Sequence, residues 1–114
     1  MKTSAKEIGH FLEQKAKIGE PINYQVVIDR FPDLPPLTGN WKSHPLCSMF
    51  GDLDGEDHRN NLPFRTSLVY AKNLGRPGQG FFETVSRLRG KTILKQEQDK
   101  VWIAELDALR AHYK

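Results

Sequence analysis

The stretch that decides the fold is FRTSLVYAK, residues 64–72, followed directly by NLGRPGQG, residues 73–80. Alternate residues from Phe64 to Tyr70 would share one face of an extended chain, and this period of two predicts a β-strand. Three glycines and one proline among the next eight residues predict a loop. The sequence therefore predicts one strand over residues 64–72 that leads into a glycine-rich loop.

Helical periodicity dominates the rest of the chain. Apolar residues recur at spacings of three and four in three segments before the strand and in two segments after the loop. Ser4, Asn23 and Ser43 are candidate N-caps, and Gly55 stands where a C-cap glycine would end the third helix. The predicted helices cover residues 4–17, 23–31, 43–54 and 96–113, with a shorter one from Phe81 to Gly90 and a stiff proline-rich connector over residues 32–40.

This order of elements predicts one helix-rich α+β domain over residues 1–114, winged-helix-like in outline. Residues 43–54 take the position of the recognition helix, and residues 73–80 take that of the wing. The third helix differs from most recognition helices, which present Arg, Lys, Asn or Gln to base edges. It has no Lys or Arg after Lys42 and ends in acidic residues.

The formal net charge of +3 is unevenly distributed. Residues 62–95 contain seven basic side chains and one acidic side chain, whereas residues 52–61 contain four acidic side chains and one basic. A local basic block is typical of a face that binds phosphates, and a solvated surface is the alternative. The candidate nucleic-acid-binding residues are Arg65, Lys72, Arg76, Arg87, Arg89 and Lys91.

Composition excludes several classes of protein. No apolar run approaches the roughly 20 residues that a membrane span needs. The charged N-terminus has no apolar segment behind it, so we expect no secretory signal and no membrane contact. Cys47 is the single cysteine, which excludes an internal disulfide and fits a reducing compartment. We therefore expect a cytoplasmic protein.

No set of residues in the sequence makes a convincing catalytic or metal site. His44 and Cys47 would share a helix face, but Cys47 lies in an apolar segment, where a buried structural cysteine is the common case. The acidic cluster at residues 52–58 lacks the spacing of an EF-hand, and a solvated turn is the favoured interpretation. The glycine loop lacks the Gly-Lys-Ser/Thr ending of a nucleotide-binding loop. We expect no enzyme activity, no metal and no cofactor.

Two segments resemble known proteins. GEPINY at residues 19–24 and LPFRTSLV at residues 62–69 resemble the DNA-binding domain of alkylguanine alkyltransferases and their alkyltransferase-like relatives. Those proteins have Pro-Cys-His-Arg or Pro-Trp-His-Arg where this chain has Pro63-Phe64-Arg65, so the resemblance does not imply alkyl transfer. Residues 62–82 are similar to small uncharacterised bacterial proteins of mobile elements and gene cassettes, a similarity that implies no activity.

Two functions follow from these patterns. The basic block over residues 62–95 favours a domain that binds nucleic acid, with double-stranded DNA as the expected partner. The acidic residues 52–57 would repel a duplex docked on the third helix, and they favour a protein-interaction module. Such a module would be a homodimer or an adaptor of a mobile-element system that binds no nucleic acid.

Overall fold

The computed structural model describes residues 3–37 and 40–114 of the chain. In these residues five α-helices surround a two-stranded parallel sheet, so the predicted helix-rich α+β class is confirmed. Positions 38 and 39 of the predicted connector lie outside the described residues. Across the described ranges, none of the helices combines the length and the apolar character that crossing a membrane requires.

The first two helices begin and end where their capping residues predict. Helix α1 spans Ala5–Ile18; Ser4 forms a capping box at its start, and Gly19 ends it in the left-handed conformation at φ 89°. Helix α2 spans Tyr24–Arg30 and starts at Asn23, whose side chain accepts a backbone N–H of the first turn. Both predicted helices are confirmed.

The third helix, α3, spans Pro45–Arg59 and is longer than predicted. Its N-cap is His44, not Ser43, because the His44 Nδ1 accepts the Leu46 N–H. The predicted end at Gly55 and the acidic loop beyond it are wrong. The buried stripe of the helix continues through the acidic segment and comprises Leu46, Phe50, Leu53, Asp54 and Asp57.

The predicted strand over residues 64–72 is mostly wrong. A single 3₁₀ turn occupies Arg65–Leu68, and only Val69–Tyr70 forms a strand, β2, which pairs in parallel with β1, Ile22–Asn23. All residues from 64 to 69 are buried, so no alternation between a core face and a solvent face exists there. The 3₁₀ turn is held from outside the segment, since Asp57 accepts the Arg65 backbone N–H at 2.9 Å.

The last two helices agree with their predicted positions. Helix α4 spans Gln79–Arg89 and ends at Gly90 with φ 66°, and helix α5 spans Gln98–His112. The main core gathers buried side chains from α1, α2, α3, β2 and α5. A second cluster joins α4 to the segment that precedes the 3₁₀ turn, and it contains Phe64, Phe81, Phe82 and Val85. These two clusters fix α3 and α4 on either side of an open cavity.

Candidate functional site

A cavity of about 690 Å³ lies between α3 and the first turns of α4. Its volume falls in the range of small-molecule sites, roughly 300–1,000 Å³. The turn around Trp41 and the start of α2 complete the wall. Among the residues that line this cavity are Tyr24, Trp41, Cys47, Phe50, Gly51, Asp54, Thr66, Gly80 and Phe81.

Three aromatic rings form one continuous wall of the cavity. The Tyr24 ring centroid lies 5.0 Å from that of Trp41 and 5.9 Å from that of Phe50, and the Trp41 and Phe50 centroids are 6.1 Å apart. Rings at these separations contact each other, so no cation fits between them. Their planes are inclined to one another at 55°, 33° and 72°, so a flat ligand ring would pack against the face of one of them.

The first turn of helix α4 lies beside this wall, where a side chain at Gly80 would be in ordinary van der Waals contact with the indole. A Cβ atom on Gly80 would lie 3.5 Å from the Trp41 Nε1. Burial raises the pKa of the Tyr24 hydroxyl, and the backbone of Gly78 opposes this shift. Gly78 and Gly80 both belong to the predicted glycine-rich loop, and both line the cavity.

Among the described residues, Asp54 carries the one buried carboxyl of the cavity wall. The sequence predicts this side chain near a solvated turn. Asp54 is 3% exposed, and its Oδ1 accepts a hydrogen bond from the Thr66 hydroxyl at 2.5 Å. Burial raises the pKa of Asp54 from 3.8 to about 7, while the Thr66 hydrogen bond lowers it. The charges of Asp57 and Glu105 raise the pKa further. Near neutral pH this carboxyl therefore exists in both protonation states.

We expect the Asp54→Asn variant to gain stability relative to the wild type as pH rises from about 4 to about 7. In that window Asp54 holds a proton in the folded state but not in the unfolded state, so wild-type stability falls with rising pH. The difference in unfolding free energy should change by up to about 1.4 kcal/mol per pH unit. It should level off above pH 7. Urea denaturation of both proteins at about pH 5 and about pH 8 measures this change, and an unchanged difference would contradict it.

The candidate nucleophile Cys47 lines the cavity but is not activated. Burial raises the pKa of its thiol, whereas reactive cysteines have a lowered pKa. His44 is engaged at both ring nitrogens, because Nδ1 accepts from Leu46 and Nε2 donates to the Pro35 carbonyl at 2.8 Å. The structure therefore shows no Cys–His pair ready for nucleophilic chemistry at these two residues.

Arg65 was predicted to contact phosphates, and the structure contradicts this. Its side chain is buried, with Nε 3.0 Å from Asp57 Oδ1 and Nη1 3.2 Å from Glu13 Oε2. Glu56 lies at 3.8 Å from Nη2. A buried guanidinium with three carboxylates around it stabilises the fold and is poorly placed to reach a phosphate.

Arg76 and Arg89 are partly neutralised by acidic partners. The Arg76 Nη1 lies 3.0 Å from Asp99 Oδ1, and an antiparallel bridge between Ala71 and Arg76 closes the glycine loop. The Arg89 Nη2 lies 2.6 Å from Glu105 Oε1, and its guanidinium covers the Phe64 ring. These ion pairs reduce the positive charge that the two arginines would present to a phosphate.

Lys72, Arg87 and Lys91 are exposed and form no ion pair with any other described residue. Lys72 lines a shallow groove that shares Tyr24 and other residues with the cavity. Arg87 lies one helical turn after Thr84, which lines the cavity. Lys91 lies farther along, beyond the end of α4. Lys72 therefore lies beside the cavity, and Arg87 lies one turn from its wall along α4.

Sequence reasoning missed Lys42 and Asp54. Lys42 lines the cavity, is exposed and forms no ion pair across the described ranges, but it lies outside the basic block. Asp54 follows Phe50 by four residues, on the same buried stripe. The predicted helix over residues 43–54 already contains Asp54, and its spacing of four from Phe50 indicates that it faces inward.

Metal binding at the acidic segment finds no support in the geometry. The portion of the chain with described structure contains no group of three His, Cys, Asp or Glu side chains placed to hold a metal ion. Because α3 continues through the segment, its acidic side chains point in different directions around the helix. Asp54 and Asp57 are buried, while Asp52 and Glu56 are exposed.

Comparisons with known proteins were made at three levels. No protein-family model, no curated protein and no solved structure gives a significant match to this chain.

Proposed function

We propose that this protein is a non-enzymatic domain that binds nucleic acid, with a base in the aromatic cavity and phosphates on the cations beside it. The observation that carries the proposal is the position of Lys42, Lys72 and Arg87. All three are exposed and lack ion pairs among the described residues. Lys42 lines the cavity, Lys72 lines the adjoining groove, and Arg87 follows the cavity-lining Thr84 by one helical turn. Aromatic side chains beside unpaired cations match the two parts of a nucleotide.

The aromatic wall supports a role in base stacking. Stacking of a base on an aromatic side chain contributes about 1–3 kcal/mol in proteins that bind single strands. A base can reach such a wall only when it is unstacked from its neighbours, because a duplex hides the faces of its bases. The proposal therefore favours a single strand, or a duplex with one displaced base, over an intact duplex.

The proposal includes the winged-helix-like fold that the order of elements in the sequence predicts. Two features support it: three helices precede β2 in the expected order, and the Ala71–Arg76 bridge closes a short turn directly after β2. The acidic segment is a weaker obstacle than the sequence suggests, because Asp54 and Asp57 are buried. The parallel pairing of β1 and β2 departs from an antiparallel wing sheet, so the proposal rests on the site and not on the fold.

The test removes the three cations together. Each phosphate that a cation neutralises adds about 0.7 to the salt slope for a single strand and about 0.9 for a duplex. Replacing Lys42, Lys72 and Arg87 with Ala should therefore reduce the slope of log K against log salt by roughly two to three units. Fluorescence anisotropy with a labelled single strand and a labelled duplex, at several salt concentrations, measures this slope.

A control variant with the same loss of charge replaces Lys95, Lys100 and Lys114, which are exposed and do not line the cavity. Its slope should stay close to that of the wild type. Equal losses in the two variants would show that only net charge matters. Absence of binding to either probe near 50 mM salt would overturn the proposal in favour of the protein-interaction alternative.

A further inference from the structure

One oxygen of the buried Asp54 carboxyl has a protein partner and the other does not. Oδ1 accepts the Thr66 hydroxyl, whereas Oδ2 makes no hydrogen bond to any other described residue. Asp54 is 3% exposed and lines the cavity beside the aromatic wall. No fully buried side-chain polar atom of the described residues lacks a partner, so the unpaired Oδ2 is accessible from the cavity, where a ligand can pair with it.

The charged groups around Asp54 disfavour its ionised form. Asp57 on α3 and Glu105 on α5 are both acidic, and the Arg65 guanidinium is already paired with Asp57. Burial is the largest cause that raises the pKa of Asp54 to about 7. The other ionisable side chains that line the cavity are Tyr24, Lys42, Cys47 and Glu83.

A protonated Asp54 offers a defined pair of hydrogen-bonding groups. Because Oδ1 already accepts from Thr66, the proton belongs on Oδ2. The carboxyl then presents one O–H donor at Oδ2 and one remaining acceptor position at Oδ1. The complement of this pair is an edge on which an acceptor stands next to an N–H donor.

We propose that Asp54 determines specificity in the cavity by selecting a base whose edge carries one N–H donor beside one ring-nitrogen acceptor, as adenine and cytosine do. This inference rests on the proposed function, because the base is carried by the bound strand. Asp54 Oδ2–H donates to the ring nitrogen, and Oδ1 accepts the exocyclic N–H. The guanine edge with two adjacent N–H donors would place a donor against the Oδ2 proton and is rejected.

The experiment uses single strands that are abasic except for one central base. The central base is adenine, purine or guanine, and a fully abasic strand gives the baseline; purine has the adenine ring without the exocyclic amine. At about pH 6 the adenine strand should bind roughly tenfold or more tightly than the purine and guanine strands, because purine cannot complete the bidentate pair and guanine opposes a donor to it. The preference should decline above about pH 7 as Asp54 ionises.

Two variants separate selection by Asp54 from a structural effect. Asp54→Asn has a fixed donor and acceptor in place of the protonated carboxyl, so it should keep the adenine preference and lose its pH dependence. Asp54→Leu should lose the preference at every pH. Because the Leu variant removes the partner of Thr66 and can fail to fold, the Asn variant and the wild-type pH profile form the decisive pair.

The outcomes distinguish this inference from the proposed function. Equal binding of the adenine and purine strands at about pH 6, both above the abasic baseline, would overturn the role of Asp54 and leave the proposed function standing. An adenine preference in the wild type that does not change with pH would also overturn it. Failure of every strand to bind at low salt would overturn the proposed function and this inference together.

Discussion

Replacing Arg65 with Met is expected to lower the free energy of unfolding by about 3–5 kcal/mol, the cost of removing one partner of a buried ion pair. Asp57 has 0% exposure, and in the variant its carboxyl would keep the Arg65 backbone N–H but lose the guanidinium. Glu13 would lose the same partner. The melting temperature should fall by roughly 10–20 °C, which thermal unfolding followed by circular dichroism measures.

The control for Arg65→Met is Arg76→Met. Arg76 pairs with Asp99, but both side chains of that pair are substantially exposed, so we expect a loss of no more than about 1 kcal/mol. Adding Asp57→Asn to Arg65→Met should restore part of the lost stability, because the buried charge is then removed. Similar losses in Arg65→Met and Arg76→Met would contradict the account of Arg65 as a buried structural cation.

The second large effect concerns Gly9, in the interior of α1. Ala usually stabilises a helix interior relative to Gly by about 1 kcal/mol, but here we expect Gly9→Ala to destabilise the protein by about 1–3 kcal/mol. A Cβ at this position would lie 2.6 Å from the Arg65 Nη1 and 2.9 Å from the Leu53 Cδ2. The glycine is what allows the guanidinium to reach Glu13 and Asp57.

Gly51 in α3 provides the matched control. A Cβ at Gly51 meets no atom within 4 Å, so Gly51→Ala should raise the unfolding free energy by up to about 1 kcal/mol. Urea denaturation of both variants should therefore give shifts of opposite sign. A stabilised Gly9→Ala variant would show that the helix tolerates a side chain against Arg65 and would contradict the packing described above.

The helices whose ends depend on local chemistry could be predicted from sequence. Helix ends are determined by capping residues that form hydrogen bonds with backbone groups only a few residues away, so their roles are visible in the sequence. These residues are Ser4, Gly19, Asn23 and Gly90. The strand could not be predicted, because burial of every residue from 64 to 69 depends on contacts with distant segments. The Asp57 carboxylate holds the 3₁₀ turn there in place of a ladder of strand hydrogen bonds.

The candidate site was predicted only in part, for a related reason. Charge counting along the sequence finds Lys72 and Arg87, but it cannot show that Arg65 is buried against Glu13, Glu56 and Asp57. The cavity wall joins residues from α2, the Trp41 turn and α3. No spacing rule links residues that only the tertiary fold brings together.

The central claim is that a base enters the aromatic cavity, and the most direct measurement is strand binding by two variants of Gly51. Gly51 lines the cavity, and a Cβ added at this position would point into open space. Gly51→Leu should therefore fill the site without a clash at the backbone. We expect Gly51→Ala to bind a labelled single strand within about threefold of the wild type. Gly51→Leu should bind it at least roughly tenfold more weakly, in line with the loss of one stacked base. Wild-type affinity in a folded Gly51→Leu variant would contradict the claim.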